Sequence, residues 1–111
     1  MTQKAVWISF DLGLKGDYKG LYTFLDNHKA VECGQGLAFL NYNADTVGDN
    51  ILSAIKADLE KMISLLPSDR VYIIWKEGSK IKGEFINGSR RQSPWEGYGN
   101  LNNLRKTDTG E

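Results

Sequence analysis

Cysteine occurs once in this 111-residue chain, at Cys33, so no disulfide can form within it. That usage fits a reducing compartment. Histidine is also single, at His28, which excludes a paired-histidine metal site. No apolar run approaches the ~20 residues needed to cross a bilayer. No apolar segment follows Met1-Thr2-Gln3-Lys4 in the manner of a secretory signal, and the expectation is a cytoplasmic protein without a membrane partner. Neither sign of charge is in excess, with 14 basic and 14 acidic residues, so no global field steers the chain toward nucleic acid or membrane. Repeats and Pro-rich stretches are absent. The clusters Gly34-Gln35-Gly36 and Gly97-Tyr98-Gly99 lack the third glycine of a dinucleotide loop, and no G-K-[ST] occurs.

What is there is an ordinary soluble mixture, 41% apolar and 25% charged, in a length that suits one domain. Residues 5–10 are β-branched and aromatic, with Val6, Ile8 and Phe10 on one strand face and Trp7, Ser9 and Asp11 on the other. A glycine-containing turn leads to Asp17, placed as an N-cap. Tyr18, Leu21, Tyr22 and Leu25 then form the apolar stripe of a first helix. Residues 30–33 and 37–42 read as strands around the Gly34–Gly36 turn. Asp45, Asp49 and Asn50 are cap candidates for a second helix over 51–66. Its stripe is Leu52, Ile55, Leu59, Met62 and Leu66, and Pro67 is its stop. Strands at 70–75 and 81–86 form a hairpin, followed by an aromatic knot at 94–99.

The order predicts an α+β fold: a ferredoxin-like βαββαβ plan with an extra C-terminal strand, its two helices on one face of an antiparallel sheet. The domain is expected over residues 1–99, with 100–111 a flexible tail.

Asp11 is the leading candidate site residue. A carboxylate at the end of a first strand, before a Gly-containing loop, can ligate a hard cation or act as a general base. A metal would need Asp17 from the same loop, or a second copy of Asp11 across a dimer axis. The plainer alternative is that Asp11 accepts loop N–H groups and shapes the turn. His28 and Cys33 are the one base–thiol pair available. Their plainer readings are a histidine at a helix C-terminus and a small buried hydrophobe.

Residues 76–91 hold five basic residues, Lys76, Lys80, Lys82, Arg90 and Arg91, against Glu77 and Glu84. Trp75, Phe85, Trp95 and Tyr98 are interleaved with or follow them. Cations beside aromatics suit a single-stranded nucleic acid, through phosphate contacts and base stacking. Lys80, Lys82, Arg90, Arg91 and Trp95 are therefore the candidate nucleic-acid contacts. The alternative is a solvated hairpin whose aromatics pack on the sheet or on a partner chain.

An apolar first strand ending in Asp, Val6-Trp7-Ile8-Ser9-Phe10-Asp11-Leu12, leads to a helix, two strands, a second helix and a final hairpin. The pattern covers residues 5–86, with Asp11 as its residue-level anchor. It resembles the ferredoxin-like superfamily of virulence-associated protein D ribonucleases and the small CRISPR-adaptation subunit. The resemblance implies a homodimer, a terminal strand that pairs with the partner subunit, and a first-strand Asp in a nuclease dependent on Mg²⁺ or Mn²⁺. Two functions follow as expectations: a small nucleic-acid-associated protein acting as a metal-dependent ribonuclease on RNA, or a non-catalytic protein-interaction module using the open sheet face.

Overall fold

Alternation along the first strand decides the architecture. In the computed structural model, which describes residues 3–43 and 50–99, β1 (Gln3–Asp11) buries Val6 and Ile8 completely and turns Trp7, Ser9 and Asp11 to the other side. It is central in a five-stranded sheet with β2 (Val31–Gly34), β3 (Leu37–Asn43), β4 (Arg70–Glu77) and β5 (Lys80–Asn87), in the order β2-β3-β1-β4-β5. Every pairing is antiparallel. The helices α1 (Tyr18–Asn27) and α2 (Ile51–Met62) contribute Leu21, Phe24, Ile51, Ile55 and Leu59 to a core shared with Val6, Ile8, Leu40, Val71, Ile73 and Trp75. Both helices thus cover the same sheet face. The α+β class stands, and the element order is compatible with a ferredoxin-like plan. No helix among the described residues is long and apolar enough to cross a membrane.

Asp17 caps α1 as expected, its Oδ1 accepting the Gly20 N–H at 2.9 Å. The stripe of α1 is phased differently from the sequence reading. Gly20, Leu21 and Phe24 are buried, whereas Tyr18 and Tyr22 are 37% and 56% exposed on the helix flank. Their rings pack on each other instead, with centroids 5.7 Å apart. The second helix ends at Met62, four residues before the expected limit. Ile63 turns to extended backbone and buries its side chain, and the N–H of Ser64 donates to Asp17 Oδ2 at 3.0 Å. That tertiary contact stops α2 ahead of Pro67. Met62 and Leu66 are consequently exposed, and Ile51 takes a place in the buried stripe.

Cys33 sits at an irregularity of edge strand β2 and is exposed, not buried. Trp75, grouped in sequence with the basic stretch, belongs to the core. His28 is the C-cap of α1, its ring against Phe24 and stacked on Tyr42. The expected tail, 100–111, and the cap candidates Asp45 and Asp49 lie outside the described residues. Asn50 is the N-cap residue of α2 without a side-chain cap bond.

Candidate functional site

Opposite residues of antiparallel strands point to one side, so the pairing register defines the sheet face opposite α1 and α2. One row across it is Val31, Phe39, Trp7, Ile74 and Gly83. The next is Leu37, Ser9, Tyr72 and Phe85, and the end of the face is Asp11 opposite Arg70. Two aromatic pairs lie on it, Trp7–Phe39 with centroids 5.0 Å apart and Tyr72–Phe85 at 4.8 Å in edge geometry. Gly83 belongs to this packing. A Cβ there would meet the Tyr72 hydroxyl at 2.4 Å, so the Tyr72 ring leans over Gly83 and would have to shift to admit a side chain.

Beyond β5, Gly88 adopts φ +84°, a conformation that L side chains rarely take. A Cβ at Gly88 would also meet Asp69 O at 2.7 Å and Arg70 Cγ at 2.9 Å. This tight turn brings Arg90 and Arg91 back onto the open face. The Arg90 guanidinium lies 5.6 Å from the Tyr72 ring centre and 5.8 Å from that of Phe85, within cation–π range. Arg91 Nη1 stands 4.0 Å from Asp11 Oδ2, and Arg70 Nη2 donates to the same oxygen at 3.1 Å. Ser9, Asp11, Arg70, Tyr72, Phe85 and Arg90 line a depression of about 240 Å³. On its other side Asp11 borders a second depression, shared with Tyr18, Tyr22 and Gln35.

The candidates from sequence divide between this cluster and other places. Asp11, Arg90 and Arg91 come together. Lys82 stands opposite buried Trp75 and Lys80 opposite Glu77, which puts both on the helix-bearing side of the hairpin. Lys82 is tied there to Glu77 at 2.7 Å. The pair lowers the Glu77 carboxyl, chiefly through the Lys82 hydrogen bond, and raises the Lys82 ammonium through the same contact. Trp95 is 71% exposed beyond β5, in a turn closed by Tyr98 N–H on Trp95 O at 3.0 Å. Asp17 gives one oxygen to Gly20 N–H and the other to Ser64 N–H. Those bonds, Ser64's first, hold its carboxyl below the ordinary 3.8.

Those commitments bear on the divalent cation that the resemblance implies. A hard cation takes several oxygen donors in one shell. Both Asp17 oxygens are engaged by backbone amides, and Asp11 is flanked by two guanidinium groups that oppose a second positive charge. Among the described residues no group of three or more His, Cys, Asp or Glu side chains is placed to hold a metal. Among the described residues of one chain, the donor set around Asp11 does not fit Mg²⁺ or Mn²⁺. What the arrangement suits chemically is an oxyanion beside a flat aromatic surface.

Arg70 and Tyr72 went unnoticed in sequence, because only the strand register brings them beside Asp11 and Phe85. Asp69 was missed as well. It is fully buried, its Oδ2 accepting from Leu66 N–H at 2.8 Å and its Oδ1 from Gly13 N–H at 3.0 Å. Asp69 thereby fixes the loop after Asp11 against the residue before Arg70. The turn composition Pro67-Ser68-Asp69 was the available signal. No family model, no curated protein and no solved structure matches this chain.

Proposed function

We propose that this chain is a small single-stranded RNA-binding protein built on a ferredoxin-like βαββαβ unit, with β5 as an added edge strand and the sheet face opposite α1 and α2 as the platform. The observation that carries the reading is Arg90 seated over both Tyr72 and Phe85, with Arg91 beside it. Bases stack on aromatic rings and on the guanidinium planes of arginines seated over them, with little regard to sequence, and adjacent arginines pair with the phosphates between them. Trp7 and Phe39 extend the aromatic surface along the same face. The balanced net charge does not oppose this reading, because the positive charge is local to the site.

The reading is tested with a fluorescently labelled single-stranded RNA of roughly ten nucleotides, a length within the usual site sizes. The wild-type protein is expected to bind at low salt. Joint replacement of Arg90 and Arg91 by Ala should weaken binding and flatten the slope of log K against log salt by about 1.4, two single-strand phosphate contacts. Unchanged affinity in that variant overturns the platform. Cleavage is not required for this function. Incubating the same RNA with and without Mg²⁺ examines the ribonuclease extension, which rests on Asp11.

A second reading, a protein-docking module, is favoured by the row Val31–Phe39–Trp7–Ile74, which is wholly apolar. Its occupant in this proposal is a second copy of the chain. Light scattering giving about twice the 12.5 kDa chain mass, together with protection of the Trp7 fluorescence from quenchers, would favour it.

A further inference from the structure

Arg70 carries two adjacent N–H donors, Nε and Nη2, along one edge of its guanidinium plane, the edge that binds carboxylates and phosphates through paired hydrogen bonds. Asp11 engages only half of that edge. Its Oδ2 accepts from Nη2 at 3.1 Å, while Nε is buried without a hydrogen-bond partner among the described residues. The same Asp11 oxygen stands 4.0 Å from Arg91 Nη1. Two guanidinium groups therefore share one carboxylate oxygen, and one good donor is unspent. A singly bonded, 58% exposed carboxylate is a weak holder of that site.

Building on the single-strand reading above, we propose that Arg70 and Arg91 form a binding site for one phosphate group of the ligand, and that Asp11 is the internal anion that phosphate displaces. A phosphate offers oxygens in several directions, so it can accept from both donors of the Arg70 edge and from Arg91 together. The Arg70 side chain is 29% exposed at the rim of the depression, so a rotation can present Nε to the ligand. Asp11 then tunes affinity. It keeps the two arginines aligned in the free protein and competes with the incoming phosphate. This role carries the opposite sign from that of a metal ligand or base, whose loss would leave binding unchanged or weaker.

The experiment measures binding of single-stranded RNA, the dinucleotide UpU and uridine 5′-monophosphate to the wild type, Asp11→Asn, Arg70→Ala and the double variant that combines them. Asp11→Asn keeps the side-chain shape and is expected to tighten RNA binding about two- to fivefold, the reach of one exposed ion pair. Its salt slope should match the wild type's, because the same phosphate is held by the same two arginines in both complexes. Arg70→Ala should lose that gain in the double variant. Tighter monophosphate than UpU binding assigns the site to a terminal phosphate, and the reverse to an internal phosphodiester. Unchanged or weaker RNA binding by Asp11→Asn overturns the displacement role while leaving the platform intact. Absence of RNA binding by the wild type removes the platform instead. A readout on the wild type alone guards against a variant that misfolds: the Arg70 Nε–H resonance should shift with uridine 5′-monophosphate and stay in place with uridine. Equal shifts with both ligands contradict a phosphate site.

Discussion

Asp11 and Arg70 are cross-strand partners in the β1–β4 register and also an ion pair, with Nη2 3.1 Å from Oδ2. The two residues are 59 positions apart in sequence, so the site depends on the sheet being assembled in that register. A one-residue slip of β4 against β1 would send Arg70 to the opposite face from Asp11. The pair itself is exposed and adds about 0.2–1 kcal/mol at most, so its consequence is electrostatic. It gathers positive charge at one end of an aromatic surface.

The register at that end is held by Asp69, fully buried and bonded to the N–H groups of Leu66 and Gly13. Asp69→Ala leaves both amides without their acceptor and should destabilise the fold by about 2–4 kcal/mol, measured by urea unfolding. Asp69→Asn retains one acceptor and should lose roughly half as much. A loss below about 0.5 kcal/mol in the Ala variant, the range of ordinary surface changes, would contradict the anchoring role.

Leu59 is fully buried in the last turn of α2, and Lys61 two residues on is exposed. Leu59→Ala should cost about 2–5 kcal/mol through lost contacts and the cavity left behind. Lys61→Ala should stay within about 0.5 kcal/mol, because its contact with Asp58 is a 4.0 Å surface pair. Thermal melts of the two variants would refute the helix phase if both shifts were equally small.

Much of the fold was legible because short-range chemistry writes it plainly. Alternation separated Val6 and Ile8 from Trp7 and Ser9 as two strand faces, the first of which is buried, and an acidic residue before an apolar helix pattern marked Asp17 as the cap. Phase was harder to read where residues are amphipathic. Tyr18, Tyr22, Met62 and Leu66 count as apolar in a periodicity argument, yet all four remain exposed. The end of α2 was misplaced because the Ser64–Asp17 contact joins positions 47 apart. The site was legible only by halves. Asp11, Arg90 and Arg91 carry a local signal, whereas Arg70 and Tyr72 acquire meaning through register. Lys80 and Lys82 looked like part of one basic patch until strand alternation put them on the opposite side from Tyr72 and Phe85.

Tyr42 gives the fold a marked alkaline limb. Burial first, then the hydrogen bond to Asp58 and its charge, push the Tyr42 hydroxyl far above its ordinary 10.0. In the unfolded chain the phenol ionises near pH 10, while the folded protein retains the proton. Unfolding then releases a proton, so this contribution is complete below pH 10 and is lost progressively as pH rises above it. Tyr42→Phe should flatten the decline of stability above pH 10 in urea titrations. An identical alkaline limb in wild type and variant would contradict the assignment.

The most direct test of the RNA platform is the anisotropy of a labelled single-stranded RNA titrated at low salt with wild type and with Tyr72→Ala. Base–aromatic stacking is worth about 1–3 kcal/mol per base, so removal of the ring beneath Arg90 should weaken binding by about fivefold or more, with circular dichroism unchanged. Equal affinity of the two proteins, or no binding by the wild type, would contradict the account.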